Sequence, residues 1–350
     1  MDFKTAKKAV DLAVSLNEKY VPLVFFGGEP LILKDLIYEV VEYTKEIKKC
    51  KDRIFSFKLV TNGRLLDDEF IEYSKAEGIF IAISLDGNVK AHNCNRVDLN
   101  GKGSYEVITP KVKSLLSCFP YTPVMQVVNP NTVQLFSDSV GHLFDLGFRF
   151  VVSTINYSGE WDEARLKILK KQYIQLSNLY YLKTMKEDKF YFSPFDSKIN
   201  LFINCEDNCK ADCSLGNEQI SISPDGYIYP CTQFVGDESY IIGHVENGID
   251  AKMKDEINKI GTAEKTICSE CVLKNRCISY CSCLNKQTTG RIDTVSPVLC
   301  EHERILIPIA DKLAEKLYKK KNGMFIQKHY NSMYPVISII EDKICKSKKA

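Results

Sequence analysis

No run among the 350 residues approaches roughly eighteen consecutive apolar positions, which excludes a conventional membrane-spanning helix. The opening MDFKTAKKAV lacks the apolar core of a secretory signal, so a cytoplasmic location and no membrane partner are expected. The net charge is only +2, too small for a general nucleic-acid binder. Internal repeats and low-complexity linkers are absent. With 45% apolar and 26% charged residues, the chain can bury a large core. One long α/β domain and a smaller companion is the simplest organisation.

Cysteine is abundant instead. Ten of the fourteen cysteines fall between Cys205 and Cys300, while Cys50, Cys94, Cys118 and Cys345 are scattered. A reducing compartment makes so dense a cluster a metal site before it makes disulfides. From Asp311 to Ala350, ten lysines against four acidic residues give a local charge of +6, read as a solvated, lysine-rich tail.

Apolar periodicity orders the first two-thirds. A helical stripe over 2–19 precedes the buried strand VPLVFF, and KDLIYEVVEYTKEI reads as a helix. The strands FSFKLVTNG, IFIAISLDG, PVMQVV and FRFVVSTIN follow, separated by helices, with a long helix from about Glu163 to Lys186. Single helices between strands imply parallel βαβ units. Polar and glycine residues gather where these strands end, at GGEP, TNG, SLDG, NPN and NYSG, and that edge carries the ligand site in such folds. The chain opens on a helix, with no strand before it. Beyond about Leu201 the pattern changes to short strands and cysteines, EQISISPDGYIYPC reading as a hairpin around Asp225-Gly226.

The cysteines have fixed intervals: Cys213, twelve residues, Gly226, four residues, Cys231; then Cys268-x2-Cys271-x5-Cys277-x3-Cys281; then Cys300. Loops can bring such thiolates to one centre. Four of them suit a structural zinc, and four each suit two iron–sulfur clusters.

This pattern resembles the seven-cysteine signature of the SPASM domain, an appendage of radical S-adenosylmethionine (SAM) enzymes that modify peptides and proteins. The resemblance covers nearly the whole chain. It implies a partial (β/α)6 TIM-type barrel over 1–200 lacking its first strand. A small cysteine-rich α+β SPASM domain over 201–303 and a helical, Lys-rich tail over 304–350 complete the expected arrangement. It also implies two auxiliary [4Fe–4S] clusters. Cys213, Cys231 and Cys281 would hold the first, with Cys209 as fourth ligand in preference to Cys205. Cys268, Cys271, Cys277 and Cys300 would hold the second, and Cys283 is left as a spare.

Glycines at a strand end let a ligand approach the backbone, although a tight βα loop with proline at the helix entry looks the same. By resemblance, Gly27, Gly28, Glu29 and Pro30 would meet the methionyl ammonium of SAM. Thr61, Asn62, Ser84 and Asp86 would reach its ribose and carboxylate, or else cap the helices that follow. Arg96 would grip the SAM carboxylate or substrate through its fork of donors, or else form a surface ion pair.

One family element is not found: the CysX3CysX2Cys motif that holds the SAM-cleaving cluster. No cysteine precedes Gly27. The coincidence with the absent first strand suggests a chain shortened at its start, a third cluster belonging only to an extended form. Without those thiolates no reductive SAM cleavage is expected. Sulfatase-maturing relatives place a basic aspartate after the GlyX4Cys cysteine, but here Cys231 is followed by Thr232. The run YPCTQFVG looks more like maturases that forge thioether crosslinks. The implied partners are a ribosomally made, cysteine-containing precursor peptide and a reductant such as flavodoxin or ferredoxin. A non-catalytic iron–sulfur partner of a complete radical SAM enzyme, a sulfatase-maturase-like enzyme and a zinc-stabilised module are the alternatives.

Overall fold

The computed structural model describes residues 1–17, 19–50, 52–204, 213 and 215–347. Helix α1 (Phe3–Leu16) starts where the Asp2 carboxylate accepts from the Thr5 amide, and it buries Ala6, Val10 and Val14, four residues apart. Five βα units follow: β1 (Tyr20–Phe25) with α2 (Lys34–Cys50), β2 (Ile54–Thr61) with α3 (Asp68–Glu77), and β3 (Ile79–Ser84) with α4 (Val89–Asn95) and α5 (Tyr105–Cys118). The series continues through β4 (Pro123–Val128), α6 (Phe136–Asp145), β5 (Phe150–Ile155) and α7 (Glu163–Met185).

Capping explains why the helices sit where they do. In α3, Asp67 accepts from the Phe70 amide at 2.9 Å, and Gly78 closes the helix at φ +70°, a left-handed turn that costs glycine least. In β2 the residues alternate, Phe55, Phe57, Leu59 and Thr61 facing inward. β3 buries Ile79, Ile81, Ala82 and Ile83, while Phe80 stays exposed.

The six strands are parallel and ordered β1-β2-β3-β4-β5-β6, where β6 is the two-residue strand Tyr191–Phe192. Among the described residues the sheet is open, with β1 and β6 at its edges. The register pairs Phe25 with Leu59, Thr61 with Ile83 and Ser84 with Met125, so the GGEP, TNG and SLDG loops leave the sheet side by side. β6 and the next helix, α8 (Ser193–Asn204), are not foreseen by the periodicity. A two-residue strand has no alternation to detect, and α8 continues past the expected domain boundary at 200.

The second region holds a four-stranded sheet ordered β10-β9-β8-β7, from β7 (Ser221–Ile222), β8 (Tyr227–Tyr229), β9 (Gly243–His244) and β10 (Gly248–Ile249). The expected hairpin forms, β7 pairing antiparallel with β8. Its Gly226 has φ +91°, and a Cβ there would meet His244 Nε2 at 2.8 Å. Helices α9 (Ala251–Gly261) and α10 (Ser282–Thr289) complete this small core around Leu215, Ile228, Phe234 and Ile242.

The C-terminal segment corrects the expectation of a solvated tail. α11 (Pro297–Lys319) packs against α7 and α8, and Lys198 meets Glu303 at 2.6 Å with both side chains under 5% exposed. α12 (Gly323–Tyr330) buries Phe325 and brings Lys328 to 2.7 Å from Asp196. In α13 (Tyr334–Ser347), Asp342 pairs with Arg149 and Lys189 and accepts from the Tyr121 hydroxyl. Lys328 is held against a buried carboxylate, which local charge counting cannot reveal, while Lys312, Lys316, Lys319, Lys320 and Lys321 stay exposed.

Candidate functional site

Two groups of expected residues come together. The first lies at the C-terminal edge of the sheet. Gly27 adopts φ +150°, and a Cβ on Gly27 or Gly28 would meet nothing within 4 Å. The exposed backbone of this turn is therefore open to a ligand. Glu29 is differently occupied. Its Oε1 accepts from the Leu31 amide at 3.1 Å and the Thr61 hydroxyl at 2.8 Å, and its Oε2 accepts from the Asn62 amide at 2.7 Å. The carboxylate thus ties GGEP to the neighbouring TNG turn, and Pro30 opens a short 3-10 turn over Pro30–Leu33. Thr61 is buried and also accepts from the Gly63 amide, while Asn62 Oδ1 accepts from the Arg64 amide. Both side chains build the turn.

Asp86 is likewise committed. It is 5% exposed, accepts from the Val127 amide at 3.0 Å, and receives Arg96 through Nε at 2.7 Å and Nη2 at 2.9 Å. Its own amide donates to His92 Nδ1, so Nε2 carries the ring proton and donates to the Ser104 hydroxyl at 2.9 Å. Burial, partly opposed by Asp86, holds His92 down at about 4. Half-buried Ser84 ends β3 beside this network. Gln126, which donates to the Asp86 carbonyl and accepts from Ser153, was missed. A lone polar residue in the buried run PVMQVV was the available signal.

The second group is the cysteines. Cys268, Cys271, Cys277 and Cys300 line one small cavity together with Ser279, Glu303 and Arg304. Short 3-10 turns at Thr266–Cys268 and Lys274–Arg276 present Cys268 and Cys277, Cys271 lies on the segment between them, and the first turn of α11 presents Cys300. Burial, reinforced by Glu303, pushes the Cys277 thiol up to about 11, and burial raises Cys300 as well.

Cys213, Cys231 and Cys281 converge on the hairpin side. Cys281 caps α10, and hydrogen bonds from the Cys213 thiol and then Cys283, with the Leu284 and Cys283 amides behind them, hold it well below a normal thiol. The Ser282 amide faces Cys213. Cys231 is also lowered, chiefly by a hydrogen bond from Cys283, with the Gln233 amide contributing. Cys283, expected to be a spare, stands among the other three, its Sγ 3.3 Å from that of Cys281. Cys205 and Cys209 lie outside the described residues. Among the described residues no three of these groups form a ready-made site for a single ion. The contacts run as a chain, Cys213 to Cys281 to Cys283 to Cys231.

Residues 1–171 match the Radical SAM superfamily and residues 213–272 match the SPASM iron–sulfur cluster-binding domain. The chain is a radical SAM protein with a SPASM domain. A cysteine-type anaerobic sulfatase-maturating enzyme of Clostridium novyi is 25% identical over 327 residues, 86% of this chain and 83% of that one. The radical SAM cyclopropyl synthase TigE of Paramaledivibacter caminithermalis is 22% identical, over 86% of this chain and 62% of its own. The solved structure of native anSMEcpe with bound AdoMet and Cp18Cys peptide superposes with a TM-score of 0.76 at 16% identity, covering 91% of this chain and 92% of that one.

Radical SAM and SPASM domains imply SAM and iron–sulfur clusters, and the residues present fit those groups. Thiolates are the donors iron–sulfur clusters take, and this radical SAM protein gathers them in two places. Backbone amides at the start of α10 point at the sulfurs, which favours an anionic centre. The bare Gly27-Gly28 turn leaves room for a ligand that a side chain would exclude. No helix among the described residues is long and apolar enough to cross a membrane.

Proposed function

We propose that this radical SAM protein is a peptide maturase that modifies a ribosomally made, cysteine-containing precursor peptide by forming a thioether crosslink. SAM would lie over Gly27, Gly28 and Pro30, with Ser84 and Arg96 reaching toward its ribose and carboxylate. Glu29, Thr61, Asn62 and Asp86 would hold those loops in place. One auxiliary cluster would sit on Cys213, Cys231 and Cys281, the other on Cys268, Cys271, Cys277 and Cys300. With a further cluster on a CysX3CysX2Cys motif, expected only in an extended form, SAM would supply a carbon radical that removes a hydrogen atom from the peptide, and the auxiliary clusters would accept the second electron. Overall one C–H and one S–H bond are exchanged for a C–S bond. SAM is the oxidant, leaving as methionine and 5′-deoxyadenosine, while flavodoxin or ferredoxin supplies the reducing electron.

The observation that carries the choice of reaction is Thr232. Its hydroxyl lies 3.9 Å from the Cys231 sulfur, where a maturase that oxidises a free cysteine needs a basic carboxylate. The likeness to the Clostridium novyi enzyme, over most of both chains, favours a second reading as a sulfatase maturase. Intact-mass analysis of a cysteine-containing peptide co-expressed with a form that carries the CysX3CysX2Cys motif separates the two. Loss of two hydrogens together with a free thiol supports the crosslink; loss of sulfur, leaving an aldehyde, supports the second reading.

A further inference from the structure

The family resemblance implies one centre on Cys213, Cys231 and Cys281 and leaves Cys283 aside, yet the geometry brings it in. Residues two apart inside a helix project to nearly opposite sides. Cys281 escapes that rule because it is the cap of α10, with φ −70° and ψ 97°, and only Cys283 has helical backbone. The two sulfurs consequently meet at 3.3 Å. Cys283 and Cys231 are buried in one small core, which joins the hairpin side of the group to the α10 side. Cys283 is 8% exposed, and Cys213 and Cys281 lie at the border of that core. A structural cysteine could occupy such a position as a small apolar residue. It would not need to point its sulfur at another thiol beneath a set of backbone amides.

We propose that Cys283 is a ligand of the first auxiliary cluster, completing the set of Cys213, Cys231 and Cys281. Four thiols from three separate segments then close the centre without a fifth. Each would bind as thiolate and release its proton to solvent, with no change of oxidation state. The assignment rests on the reading of this region as a cluster-bearing domain.

Full-length protein, purified and reconstituted without oxygen, tests it through iron and acid-labile sulfide counts and electron paramagnetic resonance of the reduced form. The parent should hold about eight irons, Cys283→Ser about four to five, and Cys209→Ser and Cys205→Ser about eight. Signals of the centre on Cys268, Cys271, Cys277 and Cys300 should persist in Cys283→Ser, which shows that the variant is folded. Added 2-mercaptoethanol, by filling the vacated position, should restore iron to that variant. Full iron in Cys283→Ser overturns the proposal, as does loss confined to Cys209→Ser or Cys205→Ser. A parent without iron and sulfide would overturn the cluster reading itself, a distinct outcome.

Discussion

Asp86 and Arg96 form a two-point ion pair, with Arg96 Nε 2.7 Å from Asp86 Oδ2 and Nη2 2.9 Å from Oδ1. The carboxylate is nearly buried and the guanidinium about one-quarter exposed, so the pair is shielded without being sealed. It anchors the segment after α4 to β3 and, through the Val127 amide, to β4. Arg96→Lys keeps the charge but loses the fork, while Asp86→Asn leaves the guanidinium without its counter-charge. Stability to urea should fall by about 2–3 kcal/mol in Asp86→Asn, and by less in Arg96→Lys. Equal losses would mean that the fork geometry contributes nothing beyond charge.

Glu29 makes a parallel connection between adjacent loops. Replacing it by glutamine turns an amide group toward one of its donors, and the Asn62 amide and the Thr61 hydroxyl cannot both keep an acceptor. Glu29→Gln should lose roughly 1.5–3 kcal/mol of stability, the worth of hydrogen bonds to a charged group. Hydrogen exchange should speed up at Asn62 and Gly63 before it does in the sheet interior. Unchanged protection at both amides would contradict the bracing role.

Three buried histidines set a pH dependence. Burial lowers His92 and His329 to about 4, against an ordinary 6.5, the nearby carboxylates Asp86 and Asp196 opposing it only partly. Burial, reinforced by Lys198, lowers His302 to about 3. Between pH 4 and 6.5 the unfolded chain binds protons that the folded chain refuses. Their contribution is therefore complete above 6.5 and is lost as pH falls. Three such groups give a slope of roughly 4 kcal/mol per pH unit near pH 5. Urea titrations at successive pH values should show that slope reduced by about a third in His329→Gln. An unaltered slope would locate the acid sensitivity elsewhere.

Much of the fold was readable in the sequence because parallel strands and amphipathic helices write themselves as periodicity. β2 shows its alternation from Phe55 to Thr61, and Gly78 marks the end of α3. β6 was not readable, since its two residues are placed by pairing with Phe150 and Val151 rather than by a local pattern. The loops GGEP, TNG and SLDG announced the edge at which they leave the sheet side by side. Their carboxylates did not announce that they brace neighbouring loops, because that depends on which strand lies beside which. Cysteine intervals pointed to two thiol groups. Spacing could not place Cys283, whose position depends on the non-helical backbone of Cys281.

The account rests on thiolates that hold iron and inorganic sulfide. Chemical iron, sulfide and zinc counts on the oxygen-free protein test this most directly. About eight irons and about eight sulfides per chain are predicted, with a brown colour that bleaches on reduction. A colourless protein carrying zinc and no sulfide would contradict it.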